Sequence, residues 1–218
     1  MTVEQTDRES VAKRLLRSSV DHSYEPAIDI DWDAEPVDGL YGVSPERCSL
    51  YGTALWDGLT EQQLGRLYKA TGAGPSMFAG VLVAEETLDQ LQRESMRDER
   101  VQPLTRMVSR IHVTEEARHV CYAREELARL MPRLTPWRRE LARALTPLVA
   151  HVVVRNLVHP DVYASVGLDP ARARKVALAN PYHREAITWS ARRLTPFLRE
   201  VGIIGGPFTW LWRRAGLV

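Results

Sequence analysis

The chain has 218 residues, 44% hydrophobic and 26% charged, and 29 Lys+Arg against 28 Asp+Glu leave a formal net charge of +1. A chain of this length and composition can bury a proper core, which excludes wholesale disorder, and its near-zero charge gives no general pull toward nucleic acid or an anionic membrane. Two cysteines, Cys48 and Cys121, are too few for a disulfide framework and are expected as reduced thiols. The first twenty residues hold no continuous apolar run of the signal-peptide kind. The longest apolar stretches, Leu148–Val154 and Gly202–Trp212, fall short of the roughly 20 residues of a membrane span. A cytoplasmic protein with no membrane or nucleic-acid partner is therefore expected.

In chain order, residues 8–19 predict a short amphipathic helix through Val11, Leu15 and Leu16. Residues 21–59 carry Pro26, Pro36, Pro45 and the acidic string Asp29, Asp31, Asp33 and Glu35. They read as an extended arm packed by Ile28, Ile30, Trp32, Tyr41, Leu50, Tyr51 and Trp56. Thr60 with Gln63 reads as a capping box opening a helix that stops at Gly72–Gly74. Pro75 begins a strong helix to about Arg97, and a turn near Asp98–Arg100 leads into a long helix over about 102–130 with Pro103 in its first turn. Thr135–Pro136 starts another to about Val158, with a kink expected at Pro147. Asp169–Pro170 and Asn180–Pro181 start two more, the second to be bent by Pro196, and Gly205–Gly206–Pro207 opens a last apolar turn. No strand pair stands out, so the fold class is all-α. Its division is an N-terminal helix and arm over 1–59 and a helical bundle domain over 60–218.

The chemistry concentrates in IHVTEEARH. His112, Glu116 and His119 stand at i, i+4 and i+7, so Glu116 and His119 lie within about 40° of His112 around the helix. Val101, Val108, Ala123, Leu127 and Leu130 fall on the same stripe, which points two imidazoles and a carboxylate at the core. An ionised Glu there costs several kcal/mol unless it is compensated, and a divalent metal compensates strongly. Glu-x-x-His on an inward face is the ligand pair of carboxylate-bridged di-iron bundles. The bland alternative is a buried His–Glu hydrogen-bond cluster. On the preceding helix, the apolar face through Met77, Phe78, Val81, Leu82, Leu88 and Leu91 takes in Glu85 and sends Glu86 toward solvent. Glu85 then either completes a four-residue site or pairs with Arg93, Arg118 or another arginine. Glu85, His112, Glu116 and His119 together would hold one iron or manganese, with positions open for water or dioxygen.

Several stretches, DIDWD (29–33), RCSLYGTALWDGLTEQQ (47–63), GPSMFAGVLVAEETLDQLQRE (74–94), VQPLTRMVSRIHVTEEARHVCYAREELAR (101–129), HPDVYASVGLD (159–169) and NPYHREAITWSARRLTPFLRE (180–200), resemble the p-aminobenzoate N-oxygenase-like non-haem diiron oxygenases. The resemblance spans nearly the whole chain. It implies a ferritin-like diiron-oxygenase bundle, with one iron held by the residues matching Glu85, His112, Glu116 and His119 and the Glu116 equivalent bridging to the second. Family members carry two further ligand helices, one with a Glu and one with a Glu-x-x-His, between the segments matching about Glu61–Gln63 and Leu64–Lys69. This chain runs straight from one segment to the other, so the bundle is expected to be incomplete. His22, His151, His159 and His183 lie outside any Glu-x-x-His pattern, and His159 and His183 read as capping or surface residues.

The resemblance implies dioxygen-dependent oxidation of an amine or aromatic small molecule, with an electron donor and dioxygen as co-substrate. Glu86, Glu115, Arg118 and Tyr122 are expected to flank the ligands, and Tyr122 and Trp189 to line a pocket or join the core. A homodimer could bring two half-sites together, since two copies of Glu85 and of Glu116-x-x-His119 restore a diiron ligand count. The alternative is a degenerate, non-catalytic family member acting as a structural or partner-binding helical protein.

Overall fold

A computed structural model describes residues 8–21, 24–40, 74–158 and 160–218, and the regular elements within them are helical. The helices are α1 (Arg8–Asp21), α2 (Pro26–Asp29), α3 (Pro75–Ser95), α4 (Pro103–Leu130), α5 (Pro136–Arg155), α6 (Pro160–Ser165), α7 (Pro170–Ala179), α8 (Pro181–Ser190), α9 (Leu194–Glu200) and α10 (Thr209–Ala215). This is the all-α, ferritin-like architecture that the sequence leads one to expect. The predicted capping box at Thr60–Gln63, the helix behind it, Tyr41, Cys48, Leu50, Tyr51, Trp56, His22 and His159 lie outside the described residues.

Proline sets most of the helix starts. From α2 through α8 every helix opens on one, where a fixed φ suits the first turn and the missing N–H would have had no partner anyway. Asp169 and Asn180 cap α7 and α8, accepting from the Arg172 and Tyr182 amides at 2.6 and 3.0 Å. Pro147 sits inside α5, which nevertheless continues to Arg155, short of the expected Val158. Pro196 acts further upstream than predicted. Pro196 has no N–H for the Arg192 carbonyl and crowds it, and there, unlike at Pro147, the helix is interrupted: α8 ends at Ser190 and α9 restarts at Leu194.

α3 and α4 form the central antiparallel pair, joined through a short turn over 96–102. Asp98 holds that turn, its side chain accepting from the Arg100 amide at 3.0 Å, and Val101 beyond it is fully buried. α5 packs against α3, α10 against α5, and α8 and α9 against the α3 flank. Their shared core runs through Leu82 and Leu91, Leu127 and Met131, Ala150, Ile187, Leu198 and Trp212. α1 lies on α4, with Val11 buried and Arg14 bound to Glu125 at 2.8 Å.

The described part of the arm corrects one expectation. Ile30 is buried, but Ile28 and Trp32 are 82% and 60% exposed. The single turn α2 breaks the extended alternation, so Ile28 and Ile30 no longer share a face. The arm is tied down instead by Gln102, whose amide accepts from the Val37 N–H at 2.8 Å and donates to the Val37 and Leu40 carbonyls at 2.9 and 3.0 Å. One apolar stretch, Pro136–Ser165, is long and apolar enough to cross a membrane by length and composition, with a third of its apolar window buried in the protein; it is an isolated and weak signal that α5 itself, ending at Arg155, does not fill.

Candidate metal centre

The buried stripe of α3 runs through Ala79, Leu82, Val83, Glu86, Thr87, Gln90 and Leu91, so that of the apolar residues that centred the sequence reading only Leu82 and Leu91 are fully in it. Met77 is exposed, and Phe78, Val81 and Leu88 are half-buried. The roles of the two adjacent glutamates change accordingly. Glu86 does not face solvent: it is buried and forms a two-pronged ion pair with Arg124 of α4. Arg124 also donates to the Arg193 carbonyl at 3.2 Å and stacks over Phe197 at 4.4 Å, which locks α4 to the α8–α9 corner. An i, i+3, i+4, i+7 pattern through Ala79, Leu82, Val83 and Glu86 was available in the sequence as a signal for this; the small residues Ala79 and Thr87 hid it.

Glu85 lies at the edge of the α3–α4 seam, half-buried, and there it meets the residues of α4. Ligand-capable atoms of Glu85, His112 and Glu116 all lie within 4.8 Å of one another. His119 joins through Glu116, its Nδ1 standing 2.8 Å from a Glu116 carboxylate oxygen. Two donors on one ion at about 2.1 Å lie about 3 to 4 Å apart, so Glu85, His112 and Glu116 need a contraction of about 1 to 2 Å at their widest pair to share a cation. The arrangement is an edge site, not a core one. The Glu116 side chain is 16% exposed but that of His119 is 66% exposed, and Val108 on the same stripe is also exposed. The expectation that all three α4 donors point into the core is corrected in that respect.

Glu85 sits beside a second carboxylate and two imidazoles. Burial pushes its carboxyl above the ordinary value, the Glu116 carboxylate adds to that rise, and His112 and His119 pull the other way. Among the described residues no arginine acts on it, and Arg93, a candidate partner from the sequence, binds Asp89 at 2.6 Å instead. Glu115 and Arg118 are half-buried on α4. Tyr122 meets Phe78 edge to face, ring centres 6.0 Å apart, at the end of the seam nearest His119. Trp189 lies elsewhere, under the Arg192 guanidinium at 4.4 Å. His183, read from sequence as a capping or surface residue, is buried. Among the described residues no other group of three or more His, Cys, Asp or Glu side chains converges in this way.

A family model described as p-aminobenzoate N-oxygenase AurF matches the chain over residues 5–71 and 61–202. Uncharacterized proteins of Mycobacterium bovis and of two Mycobacterium tuberculosis strains are 37% identical to it over 92 residues, 40% of this chain. That stretch spans 27% of the length of those curated relatives. No solved structure matches the chain.

Proposed function

The chain belongs to the p-aminobenzoate N-oxygenase AurF family, a diiron-oxygenase-like family, and on that footing we propose that it is a non-haem iron protein whose Glu85, His112, Glu116 and His119 hold one iron. The convergence of Glu85, His112 and Glu116 within 4.8 Å carries this reading. The donor set fits: two imidazoles and two carboxylates suit iron or manganese, and among the described residues no arginine acts on Glu85. Bound iron would supply reductive activation of dioxygen, for oxidation of an amine or aromatic small molecule fed by an electron donor. The chain's own residues do the rest. Glu116 is oriented by His119, Glu85 closes the site from α3, and the Phe78–Tyr122 pair forms an aromatic wall at one end of the seam. Glu116 would be the carboxylate available to a second metal as well.

The two family-model segments overlap over 61–71, which supports the reading that this chain joins parts of the family separated by two ligand helices. The stretch 41–73 contains no histidine. A cytoplasmic homodimer would restore a diiron ligand count from two half-sites, with residues 1–59 serving as helix and arm and 60–218 as the bundle.

The test is metal content after anaerobic Fe(II) loading, measured together with solution mass. About one iron per chain supports the proposal, two irons in a particle of twice the chain mass support the shared site, and none ends it. Glu116→Ala and His119→Ala should lose iron with helical circular dichroism unchanged. The second reading, a non-catalytic partner-binding member, is favoured by the single donor group among the described residues. An iron-free, inactive protein that is a discrete oligomer would establish it.

A further inference from the structure

Away from α3 and α4, a cavity of about 350 Å³ opens between the end of α5, α7, α8 and α10. Its floor is apolar, formed by Val154, Leu178 and Ile187, and buried His183 also lines it. Arg155, Arg184, Arg213 and Arg214 line it, from three different helices, and among the described residues no acidic one does. Helix ends explain part of this charge. Arg155 closes α5 and Arg213 and Arg214 close α10, where a carbonyl terminus favours cations. Each such terminus carries only about half a charge, and Arg184 stands in the first half of α8, where the helix dipole opposes it. The positive field is felt next door: after burial, Arg155 and Arg214 hold His151 below its ordinary value.

We propose that this cavity binds a small organic anion, a phosphate or carboxylate on an apolar body, gripped by the arginines with its body on the Val154–Ile187 floor. Arginines from three separate helices line one recess, and a recess of this size admits a small molecule rather than a polymer backbone. Neither metal-site helix lines the cavity, so the site is independent of the iron proposal.

The experiment is calorimetric titration of the metal-free protein, in chelator and about 150 mM NaCl, with phenyl phosphate and separately with benzoate. At least one is expected to bind with a Kd of about 1 mM or tighter, and which one binds tells phosphate from carboxylate recognition. Arg184→Gln and Arg213→Gln, both at exposed positions, should each weaken binding about tenfold or more, while Arg17→Gln on α1 leaves it unchanged. Absence of binding to either probe at about 10 mM overturns the proposal, as does binding that survives both cavity substitutions or falls equally with Arg17→Gln. Arginine-dependent binding of heparin with neither small anion bound would overturn it too, marking a polyanion surface.

Discussion

Replacing Glu85 by Gln separates the metal reading from an ordinary polar cluster, because the two predict opposite signs for the metal-free protein. In the metal-free fold Glu85 is partly buried beside the Glu116 carboxylate, and both effects raise its pKa. A raised folded-state value means that the native protein holds this proton more tightly than the unfolded chain. The ionised group therefore costs stability at neutral pH, and the cost is relieved as pH falls through the raised value toward the ordinary one. Metal-free Glu85→Gln should thus melt at or above the wild-type temperature at pH 7, with the gap closing as pH is lowered. With metal the order reverses. At a metal concentration 100 times Kd, binding to the native state adds about 2.7 kcal/mol, about 5 to 11 °C for a chain of this size. If loss of one ligand weakens affinity about 100-fold, the same concentration adds about 0.4 kcal/mol, or about 1 °C. The assay is differential scanning calorimetry under anaerobic conditions with and without Fe(II). A wild type unmoved by Fe(II), or a variant shifted as much as the wild type, would refute the reasoning. A metal-free variant well below wild type would show Glu85 to be a structural hydrogen-bonding residue.

Other predictions follow from the surrounding structure. Arg124→Ala strands the buried Glu86 carboxylate and should cost about 3 kcal/mol, the low end for a broken buried pair because Arg124 is itself partly exposed. Melting should fall by about 6 to 12 °C, and a Glu86→Leu/Arg124→Leu double variant should recover much of it. Leu82→Ala, at a fully buried position, should cost about 2 to 5 kcal/mol in urea unfolding without altering iron content, since Leu82 offers no ligand atom. Cys121, whose thiol is pushed up first by burial and then by Glu125, should alkylate more slowly than a free thiol at pH 8, read by peptide mass spectrometry.

The α4 part of the candidate site was spelled out in nine residues. A helix fixes the angular spacing of its own side chains whatever packs against it, so IHVTEEARH alone put His112, Glu116 and His119 along one edge. The same local rules gave the proline-led starts of α3, α4, α5, α7 and α8. What one helix cannot state is which of its sectors meets a neighbour. α3 carries apolar residues round much of its circumference, and packing against α4 and α5 buried the sector of Ala79, Leu82, Val83 and Glu86 more deeply than that of Phe78, Val81 and Leu88. That choice buried Glu86 against Arg124 and left Glu85 at the seam. It also set the exposure of His119 and the burial of His183, because solvent access belongs to the assembled helices and not to the period of any one of them.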